Sequence, residues 1–289
     1  MASDADRIVF RSESVTIGAF RCAPDHPSFR NSGPIKDDCF VFPRTAVVIR
    51  HSDAPPFVAD PTVVTLYNRR QAYQREPVSR DGDRCDWFAV APSLLRGALR
   101  SRDPRAAEAD HPIRFTHAVA DPATYWAQRR LFAHVSGMHD ADPLVVEESV
   151  VGLLDRVLAQ AYAGAPPRRR EPAPAHAVDL ADSTKRWLLT RVGERMTLGR
   201  IAQAVGYSMF HLCRSFRSAT GLTLHDYREQ LRLRLALERL EQGERDLSRL
   251  ALDLGYSSHS HFTAGFRQAF GAPPSNARRA LEACRAASF

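Results

Sequence analysis

A repeat narrows the possible folds of this chain more than any other feature. Residues 250–279 read LALDLGYSSHSHFTAGFRQAFGAPPSNARR. A short apolar-periodic helix (Leu250, Ala251, Leu254) stops at Gly255, the residue type that enters the left-handed region without a Cβ clash. Ser257 and Ser258 are fit to cap a second helix, whose apolar positions Phe262, Phe266 and Phe270 halt at Gly271 ahead of Pro273 and Pro274. Helix, tight glycine turn and helix make a helix-turn-helix layout. Residues 201–221, IAQAVGYSMFHLCRSFRSATG, repeat it. At an offset of 49, Ala202, Gly206, Tyr207 and Ser208 fall on Ala251, Gly255, Tyr256 and Ser257. At an offset of 50, Leu212, Phe216, Arg217, Gly221 and Arg228 fall on Phe262, Phe266, Arg267, Gly271 and Arg278. The change of offset predicts one extra residue at the start of the second unit's second helix. A corner that recurs with its glycine, core aromatic and adjacent arginine is one supersecondary unit used twice. Between the copies, residues 224–242 are helical, with stripes at Leu224, Tyr227 and Leu231 and at Leu233, Ala236, Leu237 and Leu240. A helix apolar on two faces packs against two neighbours.

Charge follows the same division. Residues 178–289 hold 17 Lys and Arg against 11 Asp and Glu, whereas residues 1–163 hold 20 against 21. The basic surplus therefore sits with the repeated helices, as a polyanion-binding domain requires. Four prolines in residues 164–177 (GAPPRRREPAPAHA) predict an extended linker. Arg168, Arg169 and Arg170 within it read as solvated, though within reach of phosphates. Upstream, runs rich in β-branched and aromatic residues (Ile8–Phe10, Ser14–Phe20, Cys39–Ile49, Val63–Tyr67, Cys85–Val90, Ile113–His117) alternate with turn-forming clusters, the pattern of a β-barrel or sandwich. A helix at about Pro92–Arg102 interrupts them. Two more follow, at about Pro122–Ser136, capped by Asp121, and Pro143–Tyr162, with Leu144, Val145, Val151, Leu154, Leu158 and Ala161 placed along one face.

The residues Leu250, Ala251, Gly255, Tyr256, Ser257, Phe262, Phe266, Arg267, Gly271 and Pro274, with Ser208, Leu212, Arg214, Phe216, Gly221, Arg232, Leu233, Ala236 and Leu240, carry a specific resemblance. Residues from about 180 to 285 resemble the DNA-binding domain of the AraC/XylS family of bacterial transcription regulators. The resemblance covers a little over a third of the chain. It implies an α+β protein: an N-terminal cupin-like β-barrel with two following helices, and a C-terminal all-α domain with two helix-turn-helix units joined by a long helix. The expected domains are 1–163 for effector sensing or dimerisation, 164–177 as linker and 178–289 for DNA binding. The implied partners are double-stranded DNA, RNA polymerase, an unidentified small-molecule effector and a second copy of the chain, the last through the two helices after the barrel.

Matched by position, the family's base-reading places fall on Phe210, Cys213 and Arg214 in the first unit and on His259, Ser260, His261 and Ala264 in the second. Arg214 stands out, because its planar fork donates twice to guanine O6 and N7. Phe210 has two readings, packing on thymine methyls or burial against the supporting helix. Ala264 stands where the family often has arginine, which predicts blunter base discrimination by the second unit. Arg217, Arg228, Thr263, Arg267 and Arg278 are the phosphate candidates; such contacts set register without reading sequence.

His51, Tyr67, Tyr73, Cys85 and Trp87 lie in or beside strand-like segments as candidates to line an effector pocket, with core or rim packing as the plainer reading for each. His51 is followed by Ser52 and Asp53 rather than by the spaced His and Glu of a catalytic cupin. Cys39 and Cys85 have no CxxC-like spacing that would favour a metal or redox role. No metal, cofactor or enzymatic activity is expected. Five scattered cysteines, a polar Met1–Asp6 and the lack of ~18 consecutive apolar residues lead to the expectation of a cytoplasmic protein without a membrane partner. Two alternatives to a regulator, expected to be an activator, stay open at this point: a cupin-type enzyme fused to a DNA-targeting module, and a repressor that works without an effector.

Overall fold

The computed structural model describes residues 5–27, 29–52, 54–137, 141–164 and 174–286. Most of the expected linker, including Arg168–Arg170, lies outside these. The strands are β1 (Asp6–Arg11), β2 (Val15–Cys22), β3 (Asn31–Ser32), β4 (Cys39–Pro43), β5 (Val47–His51), β6 (Phe57–Ala59), β7 (Val63–Tyr67), β8 (Tyr73–Pro77), β9 (Asp83–Val90) and β10 (His117–Val119). They form two antiparallel sheets, ordered β1-β2-β9-β4-β7-β10 and β3-β8-β5-β6. No hydrogen-bonded ladder joins the sheets among the described residues, so the expected barrel is open. β4 is buried at every position because both its faces are covered. Cys39 and Val41 face Tyr67 and Ala89 on one side. On the other, Phe40 stacks on Phe88 with ring centroids 5.2 Å apart, and Phe42 meets Phe88 edge-on.

The strands depart from the sequence pattern in several places, and β3 is a two-residue strand within a turn cluster. The run Cys39–Ile49 is two strands in different sheets, broken by Arg44–Ala46, and β6 is only three residues long. β8 reads as polar (YQREP) because its inward residue is Arg75, 2% exposed, in register with Ile49. That guanidinium sits 4.4 Å over the Phe20 ring and pairs with buried Asp83 at 2.5 Å. Hydrophobic alternation cannot reveal a strand whose core side chain is an ion pair.

The helices of this unit are α1 (Pro92–Arg100), α2 (Pro104–Ala107), α3 (Pro122–Gly137) and α4 (Pro143–Gly164). Asp121 receives the Thr124 amide at 2.8 Å and so caps α3, as expected. α3 covers the outer face of β9: Gln128 donates to Asp86 at 2.8 Å, and Arg129 pairs with the same carboxylate. α4 buries Val146, Val150, Leu153, Leu154, Val157, Leu158 and Ala161, a continuous i, i+3, i+4 stripe. This corrects the face drawn from sequence, since Leu144, Val145 and Val151 are exposed. They lie beside the stripe, about 100° or more around the helix from its centre.

The second unit holds α5 (Ala175–Leu189), α6 (Leu198–Val205), α7 (Met209–Thr220), α8 (Leu224–Glu241), α9 (Leu247–Asp253), α10 (His259–Phe270) and the first part of α11 (Pro274–Ala286). By its internal contacts it spans Pro166–Ala280, and the sheet-bearing unit comprises Met1–Ala165 with Leu281–Phe289. α5 starts inside the segment expected to be linker. Its Leu180, Ala181 and Leu188 join Ile201, Leu212, Phe216, Tyr227 and Leu231 in one core.

Candidate nucleic-acid interface

The two corners are built from the same local interactions. In the first, Thr197 caps α6, Gly206 (φ 76°) turns the chain, and the Tyr207 amide returns to Ala202 O at 3.0 Å. In the second, Asp246 caps α9, Gly255 (φ 78°) turns the chain, and the Tyr256 amide returns to Ala251 O at 2.9 Å. Ser208 then accepts the His211 amide to cap α7, and Ser258 accepts the His261 amide to cap α10. The cap equivalent to Ser208 is therefore Ser258, an offset of 50. The extra residue, Ser257, lies in the turn rather than in the helix start that the sequence suggested.

Caps and core residues decide which side chains point outward. Leu212 and Phe216 hold α7 down, and Phe262, Phe266 and Phe270 hold α10. That leaves Phe210, Cys213, Arg214 and Arg217 exposed on α7, and His259, Ser260, His261, Ala264 and Arg267 exposed on α10; Thr263 is half-buried. Phe210 is 76% exposed, which removes the reading that buried it against α6. Among the described residues, the guanidinium groups of Arg214, Arg217 and Arg267 have no ion pair or hydrogen bond. Other arginines of this unit do: Arg200 pairs with Glu194, and Arg239 with both Asp253 and Glu244. Unpaired, exposed cations on these two helices match what phosphate or guanine would complete.

Two of the phosphate candidates are placed differently. Arg228 turns its guanidinium onto the carbonyl of Glu194, and Arg278 donates to the carbonyl of Glu244 at 3.3 Å. Both are half-buried, and both reach back 34 residues, so the repeat extends to this tie between units' ends. Burial and the neighbouring Arg232 lower the pKa of Arg228. These contacts tie the start of α8 and of α11 to the carbonyls of Glu194 and Glu244.

α8 couples the corners. Tyr227 packs edge-on to Phe216 with centroids 5.4 Å apart. Five residues on, Arg232 donates from Nε to Val192 O at 3.1 Å and lies 5.4 Å over the Tyr256 ring. Tyr256 in turn donates its hydroxyl to Glu229 at 2.8 Å, and burial with that carboxylate raises its pKa. A Cβ on Gly193 would come within 2.2 Å of the Asp253 carbonyl, and one on Gly255 within 2.4 Å of the Gly193 carbonyl. The loop before α6 and the turn after α9 thus touch through backbone. Sequence reading missed this seam, which is signalled only by two glycines and one buried arginine.

In the sheet-bearing unit the five pocket candidates lie near one another. His51, Tyr67 and Tyr73 form a ring cluster with centroids 4.8–6.1 Å apart, and His51 Nδ1 meets Gln71 Nε2 at 3.0 Å. Tyr73, Cys85 and Trp87 pack against the core of Cys39, Val41 and Tyr67. The Trp87 indole lies over Gly18 and donates to Asp6 at 2.7 Å. Burial pushes the thiols of Cys39 and Cys85 well above the usual range, which opposes thiolate formation at either. Among the described residues no three His, Cys, Asp or Glu side chains converge to hold a metal, and no helix is long and apolar enough to cross a membrane.

A family model described as a helix-turn-helix domain matches residues 201–280. The regulatory protein SoxS of Escherichia coli is 38% identical over 95 residues, covering 33% of this chain and 89% of SoxS. The HTH-type transcriptional activator RhaS of Pectobacterium carotovorum is 32% identical over 92 residues, 32% of this chain and 33% of RhaS. A solved transcriptional regulator from Chromobacterium violaceum, described as an AraC-type DNA-binding domain protein, is 26% identical with a TM-score of 0.35, covering 37% of this chain and 96% of that one. With a duplicated corner, two outward helices bearing unpaired cations and a relative matched over nearly its whole length, the chain belongs to the AraC/XylS family of bacterial transcription regulators.

Proposed function

We propose that the protein is a cytoplasmic, sequence-specific activator that binds duplex DNA with α7 and α10 in successive major grooves. One observation carries the reading: a single unit presents two repeat-related helices, braced by α8, whose exposed arginines Arg214, Arg217 and Arg267 have no partner among the described residues. α8 has 18 residues and is about 27 Å long, comparable to the ~34 Å between major grooves one turn apart on one face of the duplex. Phe210, Cys213 and Arg214 read one half-site, and His259, Ser260, His261 and Ala264 read the other. Arg217, Thr263 and Arg267 meet phosphates and set the register. Residues 178–289 serve as the DNA-binding domain. Residues 1–163 sense a small molecule or mediate dimerisation, with the ring cluster of His51, Tyr67 and Tyr73, flanked by Cys85 and Trp87, as the effector site. Effector binding changes the presentation of the DNA-binding unit, and the bound dimer recruits RNA polymerase. RhaS, named as a transcriptional activator, supports the sign of regulation.

The test is selection of duplexes from a random pool by the full chain, followed by competition against the unselected pool at low ionic strength. The expected result is a two-part motif, its halves about one turn apart. No preference for any duplex over the pool would overturn the reading.

A further inference from the structure

The two recognition helices differ in the kind of positive charge they present. α7 exposes Arg214 and Arg217, which stay charged at any physiological pH. At the matching places α10 exposes Ala264 and Arg267, and its first turn carries two exposed histidines, His259 and His261, where α7 has Met209 and a half-buried His211 stacked on Tyr207 and His176. Imidazole is the side chain whose charge ordinarily changes between about pH 5 and 8. Both rings are exposed, and each is steadied by a hydroxyl one turn away: His259 Nε2 meets Thr263 Oγ1 at 3.4 Å, and His261 Nδ1 meets Ser257 Oγ at 3.3 Å. A hydroxyl can donate to a neutral ring or accept from a protonated one, so these contacts hold in either state. They leave His259 Nδ1 and His261 Nε2 to meet a ligand.

Among the described residues, no group around this end of α10 forms an ion pair with His259 or His261. Tyr256 lies edge-on to His261 with centroids 5.5 Å apart. On α8, Glu229 accepts the Tyr256 hydroxyl and lies against Gly265, while Arg232 covers the Tyr256 ring. On α9, Asp253 is paired with Arg239. On α10 itself the other charged side chain is Arg267. Among the described residues no carboxylate pairs with either imidazole, so the anion that would stabilise their protonated forms must come from outside.

We infer that the second unit binds its half-site through proton uptake, with His259 and His261 becoming imidazolium groups against DNA phosphates or guanine acceptors while the first unit grips at any pH. This rests on the DNA-binding reading above. A polyanion favours the charged form of any group it contacts, so binding and protonation are linked, and binding weakens as pH rises.

The experiment uses the full chain and a duplex that it selects from a random pool at pH 7, with affinity measured from pH 6 to 8 at several salt concentrations. The expected wild-type result is a loss on the order of tenfold between pH 6 and 8, with a salt slope shallower at pH 8 by up to about 2, one for each lost phosphate contact. The double variant His259→Gln, His261→Gln should bind at pH 6 as the wild type does at pH 8, with no pH dependence. The variant His259→Arg, His261→Arg should hold the pH 6 affinity throughout. A pH profile unchanged in the Gln variant overturns the inference. So does a Gln variant weakened equally at every pH and not rescued by Arg, because neutral imidazoles would then be the reading groups. If the wild type selects no duplex at all, the DNA-binding proposal itself fails, a separate outcome from pH-independent specific binding.

Discussion

Tyr207 and Tyr256 occupy the same place in the two repeats, directly after the turn glycine, yet one is 46% exposed and the other 2%. Tyr207 stacks face to face on His211 of α7, with centroids 5.1 Å apart, and His211 stacks on His176 of α5. Tyr256 is inserted under Arg232 and hydrogen-bonded to Glu229, both on α8. The second corner is therefore fastened to the central helix by its turn. The first is fastened through its core, where α5, α7 and α8 meet at Phe216 and Tyr227. One local motif thus accepts two tertiary settings, because its caps and backbone returns are complete within the corner. What surrounds it decides only how its tyrosine is used.

The largest expected effect tests that asymmetry at the glycines. Gly206 and Gly255 have nearly the same φ, but a Cβ on Gly206 has nothing within 4 Å, whereas one on Gly255 meets the Gly193 carbonyl at 2.4 Å. Gly206→Ala should cost about 1–2 kcal/mol for the left-handed conformation alone. Gly255→Ala should add a steric term of about 1–3 kcal/mol, for about 2–5 kcal/mol together. Urea denaturation followed by helical circular dichroism measures both. Equal losses would mean that the seam between the corners opens without cost.

Next in size is the pair of tyrosines. Tyr256→Phe removes a donor from half-buried Glu229 and should destabilise by about 1.5–3 kcal/mol, the range for hydrogen bonds to charged groups. Tyr207→Phe should change stability by less than about 0.5 kcal/mol, as for an exposed side chain. The same denaturation assay decides. A Tyr207→Phe variant as damaged as Tyr256→Phe would show that the first tyrosine is also structural.

These contrasts bear on what the chain's letters disclose. Caps, turn glycines and core aromatics recur at fixed offsets, so both corners and the long helix between them were legible as pattern. The different fates of the two tyrosines were not, since each depends on partners 27 residues away or on another helix. The same holds in the sheets. Arg75 and Asp83 lie inward as a pair, and nothing in YQREP separates a buried guanidinium from a solvated one. On α4, Leu144, Val145 and Val151 looked like core because helical periodicity fixes a face only to within a residue or so, and a stripe of valines elsewhere on the helix took that place. Arg228 and Arg278 share a spacing with surface arginines, but their carbonyl partners come from turns 34 residues earlier.

At the proposed reading face the units differ most at Arg214 and its counterpart Ala264. Arg214→Ala should lose about 1–3 kcal/mol on the selected duplex and relax preference at one base position. Uniform weakening on all duplexes would reassign Arg214 to phosphate. Ala264→Arg sharpens the comparison: placing the same fork on α10 should create a new preference in the second half-site, detected by repeating the selection.

The smallest effect is expected where the units agree. Arg217 and Arg267 stand 50 residues apart, both exposed in the last turns of their helices. Neither has a partner among the described residues. Each should neutralise about one phosphate, so either Arg→Ala substitution should flatten the slope of log affinity against log salt by about 0.9. Base preferences should stay unchanged, because phosphate contacts carry no direct sequence information. The double variant should lose the sum of the two changes if each corner contacts its own groove. A double variant no flatter than either single one would mean that the two arginines never engage DNA together, and the picture of paired grips on successive grooves would have to give way to one corner binding at a time.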